Sequence, residues 1–338
     1  MKSMLKNLLA LVVALGVAVG GSLPASAETV KKKVETNKKV VGKSASGNTK
    51  KLAAKKATAK KVVARKSVRK VAQRAPAIQE DSSGSIDQIK SSSVAVFDQT
   101  TGDLLFEKNS SAPVPIASIT KLMTAMVALD ALPNLAEPIT ITAADLDTLK
   151  GTSSRLTVGA QLSREEMLLL TLMSSENRAA SALSRHYPGG REAFVEAMNA
   201  KARMIGLTET NFSDPTGLSP ANVASARDLV KLVNAAHQYP LIREFSTSEE
   251  YKVSVRGRPQ TFRNTNALVR NDKWSIGLSK TGYISEAGKC LVMQAWLDNK
   301  PTIIVLLDSW GRLTRIGDAN RIKRWVESHA SRGGTVRS

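Results

Sequence analysis

Three short groups of residues stand out because their side chains could together break an amide bond. Ser118-Ile119-Thr120-Lys121 places a hydroxyl and an amine three residues apart. On a helix that spacing puts both on one face, where a neutral lysine takes the serine proton. Neutrality requires a depressed lysine pKa, which burial and a second nearby cation both favour. Ser175-Glu176-Asn177 follows 57 residues later and Lys280-Thr281-Gly282 a further 105 on. Ser175 can relay a proton to a leaving amine, and Asn177 can orient Lys121 or a substrate amide. Lys280 is the candidate second cation and a receptor for a substrate carboxylate, with Thr281 adding a hydroxyl donor. Gly282 lacks a side chain, so the substrate backbone is expected to approach closely there.

Each group has a plain structural explanation when taken alone. Ser118 can be an N-cap with Lys121 on the surface, Ser175 a cap, and Lys280–Gly282 a strand end. Decoys also exist: Ser3-x-x-Lys6, Ser67-x-x-Lys70 and Ser46-Gly47-Asn48. The weight lies in the order of the three groups and in the elements expected to carry them.

Those elements are readable from pattern. Ser93–Phe97 and Asp103–Glu107 read as a hairpin across Gln99–Gly102. A helix is expected over Ser118–Asp130, which places Ser118 at its N-terminus with its N–H free. Ser163-Arg164-Glu165-Glu166 is a capping box opening the helix through Met173. Further helices are expected over Arg191–Met204, from Ser225 through Ala236, and over about Gly317–Glu327. Strands are expected over Tyr251–Val255, Gln260–Arg263, Ser275–Lys280, Lys289–Leu297 and Thr302–Leu307. Strands at both ends with helices between imply an α+β fold in which the two ends share one sheet.

At these residues the chain resembles the low-molecular-mass penicillin-binding proteins of the D-alanyl-D-alanine endopeptidase type, typified by penicillin-binding protein 7. The stretches are Ala117–Met126, Leu172–Ala180, His186–Gly190, Phe262–Asn266 and Ser279–Gly282, within about residues 90–328. The resemblance implies a serine DD-peptidase of the penicillin-binding-protein/β-lactamase type. That fold is an antiparallel sheet flanked by helices, with an inserted helical region. It implies Ser118 as the acylated nucleophile, Lys121 as proton acceptor and Ser175 as third catalytic residue. Asn177, Lys280, Thr281 and Gly282 would bind substrate, and the backbone N–H groups of Ser118 and Tyr283 would form the oxyanion hole. The reaction would be cleavage of a D-Ala–D-Xaa amide in peptidoglycan cross-links through an acyl-enzyme. β-Lactams would acylate the same serine. No cofactor and no metal is expected.

Alternatives remain open at this point. Carboxypeptidase action uses the same chemistry. A class A β-lactamase would need an E-x-x-L-N loop, and none lies between Asn177 and Lys280. A penicillin-sensing or wall-binding protein without turnover is opposed by the intact Ser118, Lys121 and Ser175. His186, His237 and His329 have no metal-ligand spacing, and the single cysteine, Cys290, excludes an internal disulfide.

Charge divides the chain. Of its 338 residues, 49 are Lys or Arg and 29 are Asp or Glu, a net +20. Residues 28–75 hold 17 of the basic residues against Glu28 and Glu35, or +15, whereas 76–338 carry only +3. The folded part is nearly neutral and the chain as a whole has only 4% aromatic residues, which argues against a specific nucleic-acid binder, including a secreted histone-like one. Residues 1–27 read as a signal peptide: Lys2 and Lys6, an apolar run Leu8–Val19, then Ala25-Ser26-Ala27. The expected location is therefore periplasmic and wall-associated, with no transmembrane anchor in the mature chain. Residues 28–80 read as a disordered basic tether for anionic envelope polymers, 88–330 as the catalytic domain and 331–338 as a polar tail.

Overall fold

The computed structural model describes residues 86–311 and 313–330. The signal peptide, the tether and the polar tail lie outside the described residues. The fold is α+β.

The chain opens with the strands β1 (Ser93–Asp98) and β2 (Leu104–Lys108) and the short β3 (Val114–Pro115). Helix α1 (Lys121–Asp130) follows, then β4 (Pro138–Thr140) and β5 (Gln161–Ser163). Next come α2 (Arg164–Met173), α3 (Asn177–Arg185), α4 (Gly190–Met204), β6 (Val223–Ala224), α5 (Ala226–Ala236) and α6 (Pro240–Thr247). The last third holds a hairpin, β7 (Glu250–Val255) and β8 (Arg258–Arg263). It continues with β9 (Ser275–Ile284), β10 (Gly288–Leu297), β11 (Lys300–Ser309) and α7 (Thr314–Ala330).

The main sheet has the order β2-β1-β11-β10-β9, every pair antiparallel. The N-terminal hairpin and the C-terminal strands do share one sheet. Both faces are buried, so the strands read as continuous apolar runs: Ile303 to Leu307 are all at or below 1% exposure. Alternate residues serve two cores. Val94, Val96, Leu291, Met293 and Ile304 pack with Ala319, Ile322 and Val326 of α7. Ala95, Val292, Ile303 and Val305 share the larger core with α1, α2 and α5.

The sequence signals for caps hold. Ser163 Oγ accepts from Glu166 N at 3.1 Å while Glu166 Oε2 accepts from Ser163 N at 2.9 Å. Ser225 Oγ accepts from Asp228 N. Two elements near the site differ from expectation. The expected helix from Ser118 begins as a 3-10 turn, Ala117–Thr120, and becomes α-helical only at Lys121. β9 continues through Lys280-Thr281-Gly282 to Ile284, so these residues lie inside an edge strand and do not end it. Alternation places Lys280 and Gly282 on the same face as Leu278 and Ile284, toward the helices.

Candidate active site

Three elements bring the expected residues together. The 3-10 turn presents Ser118. The loop between α2 and α3 presents Ser175, and Asn177 opens α3. The edge strand β9 presents Lys280 through Tyr283. Ala117, directly before Ser118, has φ +48, and Ser175 has φ +62. Left-handed backbone at non-glycine residues is strained and persists only where surroundings enforce it.

Two glycines show what enforces it. A Cβ on Gly217 would lie 2.0 Å from Ala117 O, and one on Gly282 would lie 2.9 Å from Ile116 O and 3.0 Å from Ser118 N. The expectation that Gly282 makes room for substrate is therefore corrected. The space over its Cα is filled by the protein's own turn, which lets β9 press directly against the backbone of Ser118.

Lys121 is fully buried, and its Nζ touches three groups. Ser118 Oγ is at 2.8 Å, Asn177 Oδ1 at 2.8 Å and the Thr216 carbonyl at 2.5 Å. The Asn177 orientation is supported by its Nδ2, which donates to Thr152 Oγ1 at 3.0 Å. Two of the three partners, a carbonyl and an amide oxygen, can only accept. They use both N–H groups of a neutral amine, which leaves the lone pair for the Ser118 hydroxyl proton. Burial pushes Lys121 down to about 7, against the opposing fields of Asp214 and Glu176. Of the two causes expected from the sequence, burial is the one that depresses it; Lys280 is not among the causes.

Lys280 is also buried; burial first, then Lys121 and Arg315, hold it well below the usual lysine range. Its Nζ donates to Ser175 Oγ at 2.8 Å and to the Thr281 carbonyl at 2.9 Å. Thr281 Oγ1 donates to Thr265 Oγ1 at 2.6 Å. Ser175 thus sits on Lys280 and not on Lys121. It does not cap α3 either, since Glu176 is the N-cap residue. Tyr283 is 62% exposed, its ring under Lys289 Nζ at 4.9 Å.

Sequence reasoning missed two contributors. The first is the loop Asp214–Ser219, which supplies the carbonyl that grips Lys121. Asp214 Oδ1 accepts from Thr216 N, Thr216 Oγ1 and Gly217 N, and its Oδ2 from Ser219 N and Asn222 Nδ2. The available signal was the turn-forming run Asp214-Pro215-Thr216-Gly217. The second is Arg315 in the first turn of α7, whose Nη1 donates to the Gly282 and Cys290 carbonyls at 3.3 Å each. Nothing in its local sequence marks it.

The far wall of the cleft is the segment from Lys150 to Arg155, strung opposite β9. Lys150 pairs with Glu286 at 2.5 Å, Thr152 meets Asn177, Ser154 Oγ donates to Glu176 at 2.5 Å, and Arg155 Nη1 donates to the Thr261 carbonyl of β8.

A family model described as D-alanyl-D-alanine carboxypeptidase, peptidase S11, matches residues 79–310. The chain belongs to the S11 peptidase family. Among curated relatives of this S11 chain, a D-alanyl-D-alanine endopeptidase of Pseudomonas aeruginosa is 49% identical over 243 residues, 71% of this chain and 78% of that protein. An endopeptidase of the same name from Escherichia coli is 46% identical over the same shares. Among solved structures, the Streptomyces K15 DD-transpeptidase superposes with a TM-score of 0.66 at 28% identity, covering 70% of this chain and 97% of that one. A D-alanyl-D-alanine carboxypeptidase of Mycobacterium tuberculosis gives 0.65 at 25% identity, over 71% and 91%.

Proposed function

We propose that this S11 enzyme is a periplasmic serine DD-peptidase that hydrolyses D-Ala–D-Xaa amides in peptidoglycan cross-links. Ser118 is the nucleophile, Lys121 the base, and Ser175 the group that carries the proton onward to the leaving amine. The single observation carrying the reading is the buried amine of Lys121, 2.8 Å from Ser118 Oγ, with two acceptors consuming its N–H groups.

In the first step Lys121 removes the Ser118 proton as Oγ attacks the D-Ala carbonyl. The N–H groups of Ser118 and Tyr283 receive the oxyanion. The proton passes to the departing nitrogen, with Ser175 beside Lys280 as the relay. Water then attacks the ester by the same route in reverse. A carboxylate on the leaving residue docks at Lys280, Thr281 and Thr265, where its charge favours the ammonium form of Lys280 against the burial that disfavours it. A β-lactam presents an acyl carbonyl and a carboxylate in the same relation and acylates Ser118.

The endopeptidase reading is favoured over the carboxypeptidase one by likeness: the relatives at 38–49% identity carry the endopeptidase name. Relatives named carboxypeptidases, such as that of Streptomyces K15 at 30%, are more distant. Export rests on residues 1–27. Among the described residues no helix is long and apolar enough to cross a membrane. The basic segment 28–80 would hold the enzyme near anionic envelope polymers. The test is fluorescent penicillin labelling of the wild type and of Ser118→Ala. Labelling confined to the wild type, with both proteins folded by circular dichroism, is expected. Persistent labelling of the alanine variant would remove Ser118 from its role.

A further inference from the structure

A basic cavity lies at the end of the cleft beyond the Lys280 side. It has a volume of about 410 Å³ and is lined by Arg155, Thr157, Val255, Arg256, Arg258 and Gln260. No acidic side chain lines it. The acids of the neighbouring hairpin, Glu249 and Glu250, sit at its base, and Glu250 is paired with Arg263 at 3.3 Å. Among the described residues neither Arg256 nor Arg258 has an ion pair or a side-chain hydrogen bond. Arg155 is fixed in place: its guanidinium lies 3.9 Å from the centre of the Phe262 ring and donates to the Thr261 carbonyl.

The turn of the hairpin carries a second signal. Arg256 has φ +51 and Gly257 φ +76. Such a two-residue turn favours Asn-Gly, because a bulky residue at positive φ is strained. An arginine here works against local stability, the kind of conflict expected where function has set the residue. Cross-strand pairing puts Arg258 opposite Val255, on the face that looks toward Arg155.

The position of the cavity along the cleft gives it a partner. Lys150 and Glu286 mark one end, beyond Tyr283. Arg155 and Thr261 mark the other, beyond Ser175, Lys280 and Thr265. Under the proposed function the leaving residue's carboxylate sits at Lys280, Thr281 and Thr265, so the arginines lie on the leaving-group side. From Thr265 to Thr261 is four residues of chain, at most ~14 Å at 3.3–3.6 Å each. Arg155 contacts Thr261 at that distance, and Arg258 lies three residues further along β8, seven residues and at most ~25 Å from Thr265; an extended stem peptide of several residues spans that range.

We infer that this cavity is the subsite for the second stem peptide of a cross-link, and that Arg155, Arg256 and Arg258 bind its carboxylates. The inference rests on the endopeptidase reading and supplies its structural basis. A carboxypeptidase releases a single amino acid whose one carboxylate is met at Lys280. An endopeptidase releases a whole polyanionic peptide, and only that product extends into the cavity.

The experiment compares wild type with Arg256→Asn/Arg258→Gln, a pair that relieves strain at the turn. Three readouts are steady-state cleavage of a purified cross-linked disaccharide-peptide dimer, cleavage of the uncross-linked disaccharide pentapeptide, and penicillin acylation. The expected result is a rise in KM for the dimer of about two- to thirtyfold, the range for two solvent-exposed charge contacts. Pentapeptide turnover and acylation should be unchanged. A dimer whose second stem is amidated at every carboxylate except the one beside the scissile amide, which Lys280 receives, should bind wild type as weakly as the unmodified dimer binds the variant. Unchanged dimer kinetics would overturn the inference, and so would a parallel loss on all three readouts, which would make the arginines structural. A loss seen only on whole sacculi would overturn it in favour of an anionic wall polymer. If wild type cuts only the pentapeptide, the endopeptidase reading fails by itself. Dimer affinity of Ser118→Ala, with and without the arginine changes, then decides: weakened binding upholds the subsite and equal binding rejects it.

Discussion

Lys121 lies in a pocket that favours its uncharged form, and this sets the pH response. Burial lowers it to about 7, so below that pH the amine carries a proton and has no lone pair for Ser118. Acylation by penicillin should therefore fall about tenfold per unit below pH ~7 and level off above it. Asp214 and Glu176 hold the value up. Glu176→Gln should consequently move the acid limb to lower pH, and stopped-flow acylation across pH 5–9 measures both. A limb unmoved by Glu176→Gln would show that its field does not reach Lys121. Lys121→Arg should be as damaging as Lys121→Ala, because a guanidinium stays charged at any such pH. Retention of most of the acylation rate by the arginine variant would make Lys121 an electrostatic residue only. Serine, lysine and the two acceptors were unequally legible in the sequence. Ser118, Lys121 and Asn177 belong to short spaced groups. The Thr216 carbonyl belongs to no motif, since a backbone acceptor leaves no residue-type signature.

At the scale of elements, the site is held by contacts between a turn, a loop and a strand edge. Gly282 is the clearest case. A methyl there would meet Ile116 O at 2.9 Å and Ser118 N at 3.0 Å, all backbone and unable to yield cheaply. Gly282→Ala should push the nucleophile's turn off β9, at a cost of about 1–3 kcal/mol in stability and a far larger loss of acylation. Denaturant unfolding and labelling rate check the two effects. Near-normal labelling would mean that the turn tolerates displacement. Most element positions followed from caps and alternation: the Ser163 and Ser225 caps and the C-terminal strands were readable. Four features were not. The 3-10 start at Ala117 arises from packing against Gly217 and Gly282, which are distant in sequence. α3 and α6 were missed: α3 follows α2 after only three residues, and α6 is a short helix opened by Pro240. β9 runs on past Lys280 although Thr281, Tyr283 and Ile284 are strand formers; Gly282 among them, a residue depleted in strands, masks the continuation.

For the whole molecule, the near-neutral catalytic part and the basic segment 28–80 imply a division of labour. Deleting 28–80 should leave turnover of a small D-Ala–D-Ala peptide within about twofold, the expectation for a segment whose charge-rich, apolar-poor sequence gives it nothing with which to contact the transition state. Association with sacculi should weaken at low salt and converge with wild type at high salt, because exposed charges are screened over about 8 Å at physiological ionic strength. Equal binding of both proteins at low salt would leave the segment as a passive spacer. The family and the bond class were legible from the three groups and their order. The substrate's full extent was not, because the arginine cavity joins Arg155 to a hairpin about a hundred residues away in sequence. The most direct test of the whole account is digestion of purified cross-linked muropeptide dimer, with the products weighed. The account predicts two monomers whose summed mass exceeds that of the dimer by one water, and no such products from Ser118→Ala. An intact cross-link accompanied by free D-alanine would contradict it.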